Sequence, residues 1–167
     1  MLVKTIIGVM GPGEGATPDQ NEMAFELGKA IAQNGWITLT GGRSFGVMDA
    51  ALKGACEAGG LTIGILPMET TKGASENAQI RIVTGMNSGR NYLSVLSSNV
   101  VVVLGMAPGT ASEVALAIKS NKKVILLNQD DVTVNFFKQI GTYKILVAKT
   151  VDETIRLAKE YLAVNKA

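Results

Sequence analysis

Three glycine-rich turns carry the residues best able to do chemistry: Met10-Gly11-Pro12-Gly13-Glu14-Gly15-Ala16-Thr17, Thr40-Gly41-Gly42-Arg43-Ser44-Phe45-Gly46 and Gly105-Met106-Ala107-Pro108-Gly109-Thr110-Ala111-Ser112-Glu113. The middle turn sets a guanidinium, Arg43, and a hydroxyl, Ser44, directly after two glycines. Arginine there can hold phosphate oxygens bidentately, and serine can donate to one of them. The third turn places Gly109 and Thr110 ahead of Glu113, at the spacing of a helix capping box. Glu113 is therefore open to two uses, as a cap or as a site carboxylate, and spacing alone does not choose. Arg90 and Asn91 follow Gly85-Met86-Asn87-Ser88-Gly89, and Arg90 could face a ligand or make an ordinary salt bridge. The chemistry open to this set is anion holding and, if Glu113 activates water with help from Arg90, hydrolysis.

Each turn must be placed by the strand before it and the helix after it. Strands are expected at about 3–9, 36–40, 61–66, 81–83, 99–104, 123–127 and 145–147. Several are unbroken β-branched or leucine runs, such as Val100-Val101-Val102-Val103-Leu104. Such runs suit strands buried on both faces, as parallel sheets require. Helical patterns alternate with them at about 19–34, 47–58, 90–97, 110–120, 133–139 and 151–164. The expectation is a Rossmann-like α/β fold in one domain over residues 1–167, a doubly wound, mostly parallel sheet with helices on both faces. Thr17-Pro18-Asp19-Gln20 offers an N-cap threonine, proline in the first turn and the capping-box glutamine. Met48, Leu52, Ala55 and Cys56 recur at helical spacing, which puts Cys56 on an apolar face. Residues 68–79 are polar without a clear period and read as a lid or as a plain surface loop.

In a parallel sheet all three turns lie outside the carboxyl ends of the strands, where free N–H groups and helix N-termini suit phosphate. The first turn is not a dinucleotide fingerprint, because its third glycine comes one residue early. No acidic residue ends the second strand to hold a ribose; Thr40 and Gly41 stand there. A tight turn that merely needs glycine remains the competing use of Gly11, Gly13 and Gly15.

The bulk numbers narrow the function. A formal charge of +2 without a Lys/Arg cluster gives no nucleic-acid footprint. The chain has no histidine, which removes the commonest metal ligand and general base. Its single Cys56 excludes an internal disulfide and fits a reducing compartment. No signal peptide is visible and no apolar run approaches a membrane span, so the expected location is the cytoplasm.

With these residues in view, the chain resembles the Rossmann-like superfamily of lysine-decarboxylase-like and LOG proteins. Within it, the resemblance is closest to the molybdenum cofactor carrier proteins. It rests on Gly8-Val9-Met10-Gly11-Pro12-Gly13, Gly35-Trp36-Ile37, Gly41 to Met48, Ser97-Ser98-Asn99-Val100 and Gly105 to Glu113, and so spans nearly the whole chain. The resemblance implies a homo-oligomer, tetramer or dimer, that binds molybdenum cofactor as cargo without turning it over. Molybdoenzymes would be its acceptors. The implied cradle is Gly11, Pro12, Gly13, Gly42, Arg43, Ser44, Arg90, Gly109, Thr110 and Ala111, gripping a molybdopterin-type or nucleotide phosphate, with no metal ligated by the protein. The sister branch of LOG phosphoribohydrolases implies the alternative, an N-glycosidase with Glu113 and Arg90 as catalytic residues. This chain keeps Glu113 but replaces that branch's leading Pro-Gly-Gly with Gly-Met-Ala ahead of Pro108. A nucleotide-sensing module is the third expectation.

Overall fold

The computed structural model describes residues 3–164. It consists of β1 (Ile6–Met10), α1 (Pro18–Gln33), β2 (Ile37–Thr40), α2 (Gly46–Glu57), β3 (Thr62–Leu66), β4 (Ile80–Val83), α3 (Arg90–Ser97), β5 (Val100–Leu104), α4 (Pro108–Lys119), β6 (Lys123–Leu127), α5 (Asp131–Gly141), β7 (Ile145–Ala148) and α6 (Val151–Val164). The strands form one seven-stranded sheet in the order β4-β3-β2-β1-β5-β6-β7, and every pairing is parallel. The expected doubly wound architecture is what the chain adopts, in its fully parallel form.

Strand alternation sorts the apolar residues into two cores. Ile7, Val9, Val100, Val102 and Ile125 face α1, α2 and α6. Val101, Val103, Val124 and Leu126 face α3, α4 and α5. All five residues of β5 are buried, which is why its sequence shows no polar alternation. Cys56 is only half-buried, at the margin of the α2 face whose centre is Ala51, Leu52 and Ala55.

Helices α1 and α2 pack unusually closely. A Cβ on Gly28 would stand 1.9 Å from the Ala51 carbonyl oxygen, and one on Gly54 would meet Phe25 at the same distance. These glycines give up helix propensity for backbone approach, which brings the N-terminus of α2 beside the first turn.

The N-terminus of α1 is held by the capping box the sequence announces. The Thr17 hydroxyl accepts from the Gln20 N–H at 3.2 Å, and the Gln20 side chain accepts from the Thr17 N–H at 3.1 Å. Thr17→Ala is expected to lower unfolding free energy by about 1 kcal/mol; urea denaturation would read it, and an unchanged midpoint would show that the box contributes nothing.

From β1 the chain winds outward through β2, β3 and β4, then returns to β5 beside β1 and winds the other way. The carboxyl ends of β1 and β5 therefore flank a topological switch point, where open α/β sheets bind ligands.

Candidate functional site

A cavity of about 180 Å³ opens at this switch point, with Gly11, Pro12 and Gly13 after β1 forming one wall. Gly109, Thr110 and Glu113 at the start of α4 form another, and Arg90 closes the side. A second, shallower cavity of about 360 Å³ adjoins it, lined by Arg43, Phe45, Asn87 and Ser88 among others. The two share Arg90, Asn91 and Gly109. They form one groove with an inner and an outer lobe.

The first turn of α4 is a donor surface. Ala107 is the N-cap and offers no side-chain cap, and the first intrahelical bond runs from the Ala111 N–H to the Ala107 carbonyl. Pro108 has no N–H, so Gly109 and Thr110 hold the free amides of this turn, as an anion site requires. The helix begins two residues before Thr110, which removes the capping use of Thr110 and Glu113. Glu113 instead lies in the second turn and reaches into the inner lobe.

Arg90 meets it there. The Arg90 Nη1 lies 3.4 Å from Glu113 Oε1, with both side chains nearly buried at 12% and 8% exposure. A Cβ at Gly41 would lie 2.5 Å from both terminal nitrogens of Arg90. The glycine thus makes room for the guanidinium. Burial pushes the Glu113 carboxyl up to about 7, and Arg90 only partly offsets this. Burial also lowers Arg90 from its ordinary value; Glu113 opposes that shift, and the like charge of Arg43 adds to it.

Arg43 approaches from the β2–α2 turn. Its guanidinium stacks on the Phe45 ring at 5.2 Å. Its backbone bridges to Ala74, the Ser75 N–H donates to the Gly42 carbonyl at 2.8 Å, and the Ser44 N–H to that of Gly73 at 3.3 Å. The Ser75 hydroxyl and Asn77 both donate to Asp49 of α2. The second half of the 68–79 segment is thereby tied down behind Arg43, while residues 68–73 are exposed.

Of the sequence-predicted cradle, Gly11, Pro12, Gly13, Arg90, Gly109 and Thr110 come together on the inner lobe. Arg43 stands on the outer lobe with Arg90 and Gly109. Gly42, Ser44 and Ala111 line neither. Gly42 has φ +72° and packs against Gly64, Ser44 is exposed, and Ala111 packs into the α3–α5 core. Gly41, Met48 and Ala107 also line the inner lobe. Gly41 stood in the same turn motif, but its use depends on Arg90, far away in sequence. Asn91 donates to the Ser112 hydroxyl at 2.9 Å and so ties α3 to the first turn of α4.

Among the described residues no group of three or more His, Cys, Asp and Glu could hold a metal ion. Among the described residues no helix is long and apolar enough to cross a membrane. What the groove offers is amide and guanidinium donors around one carboxyl.

Residues 4–155 match the model of the SLOG cluster4 family. The chain belongs to that family. Two similar solved structures refine the placement. The molybdenum cofactor binding protein of Rippkaea orientalis is 48% identical with a TM-score of 0.95, covering 97% of this chain and 99% of that one. The Moco carrier protein of Chlamydomonas reinhardtii is 51% identical with a TM-score of 0.91, covering 96% and 99%. An uncharacterized protein of Archaeoglobus fulgidus is 40% identical over 121 residues, 72% of this chain and 78% of that relative.

Proposed function

We propose that this chain is a single-domain binding protein that holds molybdenum cofactor as cargo, protecting and delivering it without chemical turnover. The observation that carries this reading is the end-to-end likeness, near 50% identity, to a molybdenum cofactor binding protein and a Moco carrier protein. The groove agrees with it in kind. Backbone amides at Gly109 and Thr110 suit the terminal phosphate, and the arginines suit further negative charge. The described side chains include no metal-ligating cluster, so molybdenum keeps the ligands the cargo brings.

The protein acts in the cytoplasm as a homo-oligomer, with molybdoenzymes as acceptors. Support for self-association comes from apolar exposure on one side of the sheet. Ile80 and Ile82 of the edge strand β4 lie on the α3 side of the sheet, and Tyr92, Leu93 and Leu96 of α3 are likewise exposed. Apolar exposure on an unpaired edge is a common mark of association.

Purified protein mixed with molybdenum cofactor should retain it saturably through gel filtration and slow its oxidation. No saturable retention would overturn the reading. Glu113 beside Arg90 in the groove favours one competing reading, nucleotide N-glycosidase activity. In that case base release from AMP or cytokinin monophosphates should appear and vanish in Glu113→Gln.

A further inference from the structure

We infer that the outer lobe is a second anion subsite, formed by Arg43 and Arg90, and that the cargo is held at two separate negative groups. The inference rests on the binding role proposed above and specifies how the groove divides its ligand.

Four observations lead to it. First, the inner lobe, at about 180 Å³, is smaller than the roughly 300–1,000 Å³ of sites that enclose an organic ligand. It has room for a phosphate and its immediate link, and the rest of any pterin or nucleoside must pass Arg90 into the outer lobe. Second, the outer lobe is lined by two arginines and no carboxylate. Third, both arginines have unused hydrogen-bonding capacity: the Nε atoms of Arg43 and Arg90 are buried and have no partner. A buried N–H left unpaired carries a desolvation cost that an arriving acceptor recovers. Fourth, the two guanidinium groups are close enough that the charge of Arg43 acts on Arg90. Glu113 is the carboxyl paired with Arg90, and among the described residues Arg43 makes no ion pair. The groove therefore carries a surplus positive charge at Arg43, joined by that of Arg90 wherever Glu113 is protonated.

The surplus is positioned rather than incidental. The Phe45 ring supports one face of the Arg43 guanidinium, and the Ala74 bridge fixes its backbone. A loose surface arginine would have neither. The inner lobe, with helix amides and Glu113, takes the phosphate. The outer lobe takes a second oxygen-rich anionic group of the cargo, which for molybdenum cofactor is the oxo-metal centre carried on the same ring as the phosphate arm.

Equilibrium dialysis against inorganic phosphate and against tungstate, at low ionic strength, tests this. The wild-type protein is expected to bind two oxyanions per chain. Arg43→Gln should remove one and leave the other, and Arg43→Lys should weaken the outer site without abolishing it. Molybdenum cofactor affinity should fall about tenfold in Arg43→Gln, with an unchanged thermal midpoint showing that the fold is intact. One oxyanion per chain in the wild type, or two retained in Arg43→Gln, would overturn the two-subsite arrangement. Cofactor retention with a single oxyanion site would overturn it while leaving the carrier role standing. Two oxyanion sites without any cofactor retention would do the reverse.

Discussion

Replacing Gly109 with leucine is expected to weaken cargo binding about a hundredfold while leaving the protein as stable as before, or more so. Most glycines near the groove are fixed by packing. A Cβ on Gly11 would lie 2.4 Å from the Leu104 carbonyl, and one on Gly13 would lie 2.6 Å from the Phe45 ring. Gly109 differs from these. A Cβ there meets nothing within 4 Å, its φ is not in the left-handed region, and it sits in the first turn of α4. Nothing in the fold asks for glycine at that position, and helix propensity argues against it by up to ~1 kcal/mol. It does, however, line both lobes. The absent side chain keeps open the space where a ligand approaches the free amides. Gly109→Ala should raise the thermal midpoint slightly and weaken binding about five- to tenfold, from a single intruding methyl group. Gly109→Leu should weaken it about a hundredfold, at the upper end of the ~1–3 kcal/mol cost of overfilling a packed site. Calorimetric titration with molybdenum cofactor, paired with thermal melts, separates the outcomes. Undiminished binding by the leucine variant would place the ligand elsewhere.

The reason Gly109 was legible and Gly41 was not lies in the range of the interactions. Strands such as Val100–Leu104 announce themselves, since a run buried on both faces has no polar alternation to lose. The Thr17 box is likewise local, with both partners within one turn. The same local pattern misleads at Thr110 and Glu113, where Pro108 starts the helix early and carries Glu113 into the groove. Gly41 and Gly42 look interchangeable in the chain. One leaves room for Arg90 and the other turns through positive φ against Gly64, partners that only the folded sheet supplies. Arg43 and Arg90 could each be suspected of binding an anion, but their shared lobe depends on the β2–α2 turn and the start of α3 meeting above the sheet. Residues 74–78 follow the same rule. Their polar sequence shows no period because, apart from a local turn at Ser75, their bonds run to Asp49, Gly42 and Thr62.

The other large effect is a pH dependence centred on Glu113. Its carboxyl is held near 7 in the folded protein, against an ordinary value of 4.5, because burial outweighs the attraction of Arg90. A raised carboxyl favours the protonated form in the native state. Its contribution to stability is full below the unfolded value and is lost as pH rises through 7. The loss between about pH 4.5 and 7 is of the order of 3 kcal/mol, since each tenfold change in proton affinity is worth about 1.4 kcal/mol. Glu113→Gln mimics the neutral acid and should flatten the profile, so that at pH 8 the variant is the more stable protein. Denaturant melts at pH 5, 6, 7 and 8 would read this, and parallel profiles for the two proteins would refute it. Ligand binding should carry the same signature. A phosphate in the inner lobe disfavours the nearby carboxylate, raises Glu113 further, and makes binding take up a proton near neutral pH. Affinity should then be higher at pH 6 than at pH 8, and the binding enthalpy should vary with the ionisation heat of the buffer. In Glu113→Gln both dependences should shrink to what the titration of the cargo's own phosphate leaves, while binding itself survives. That separates a carboxyl that yields to the cargo from one that activates water against it, since a hydrolytic role would instead leave the variant bound to an uncut nucleotide.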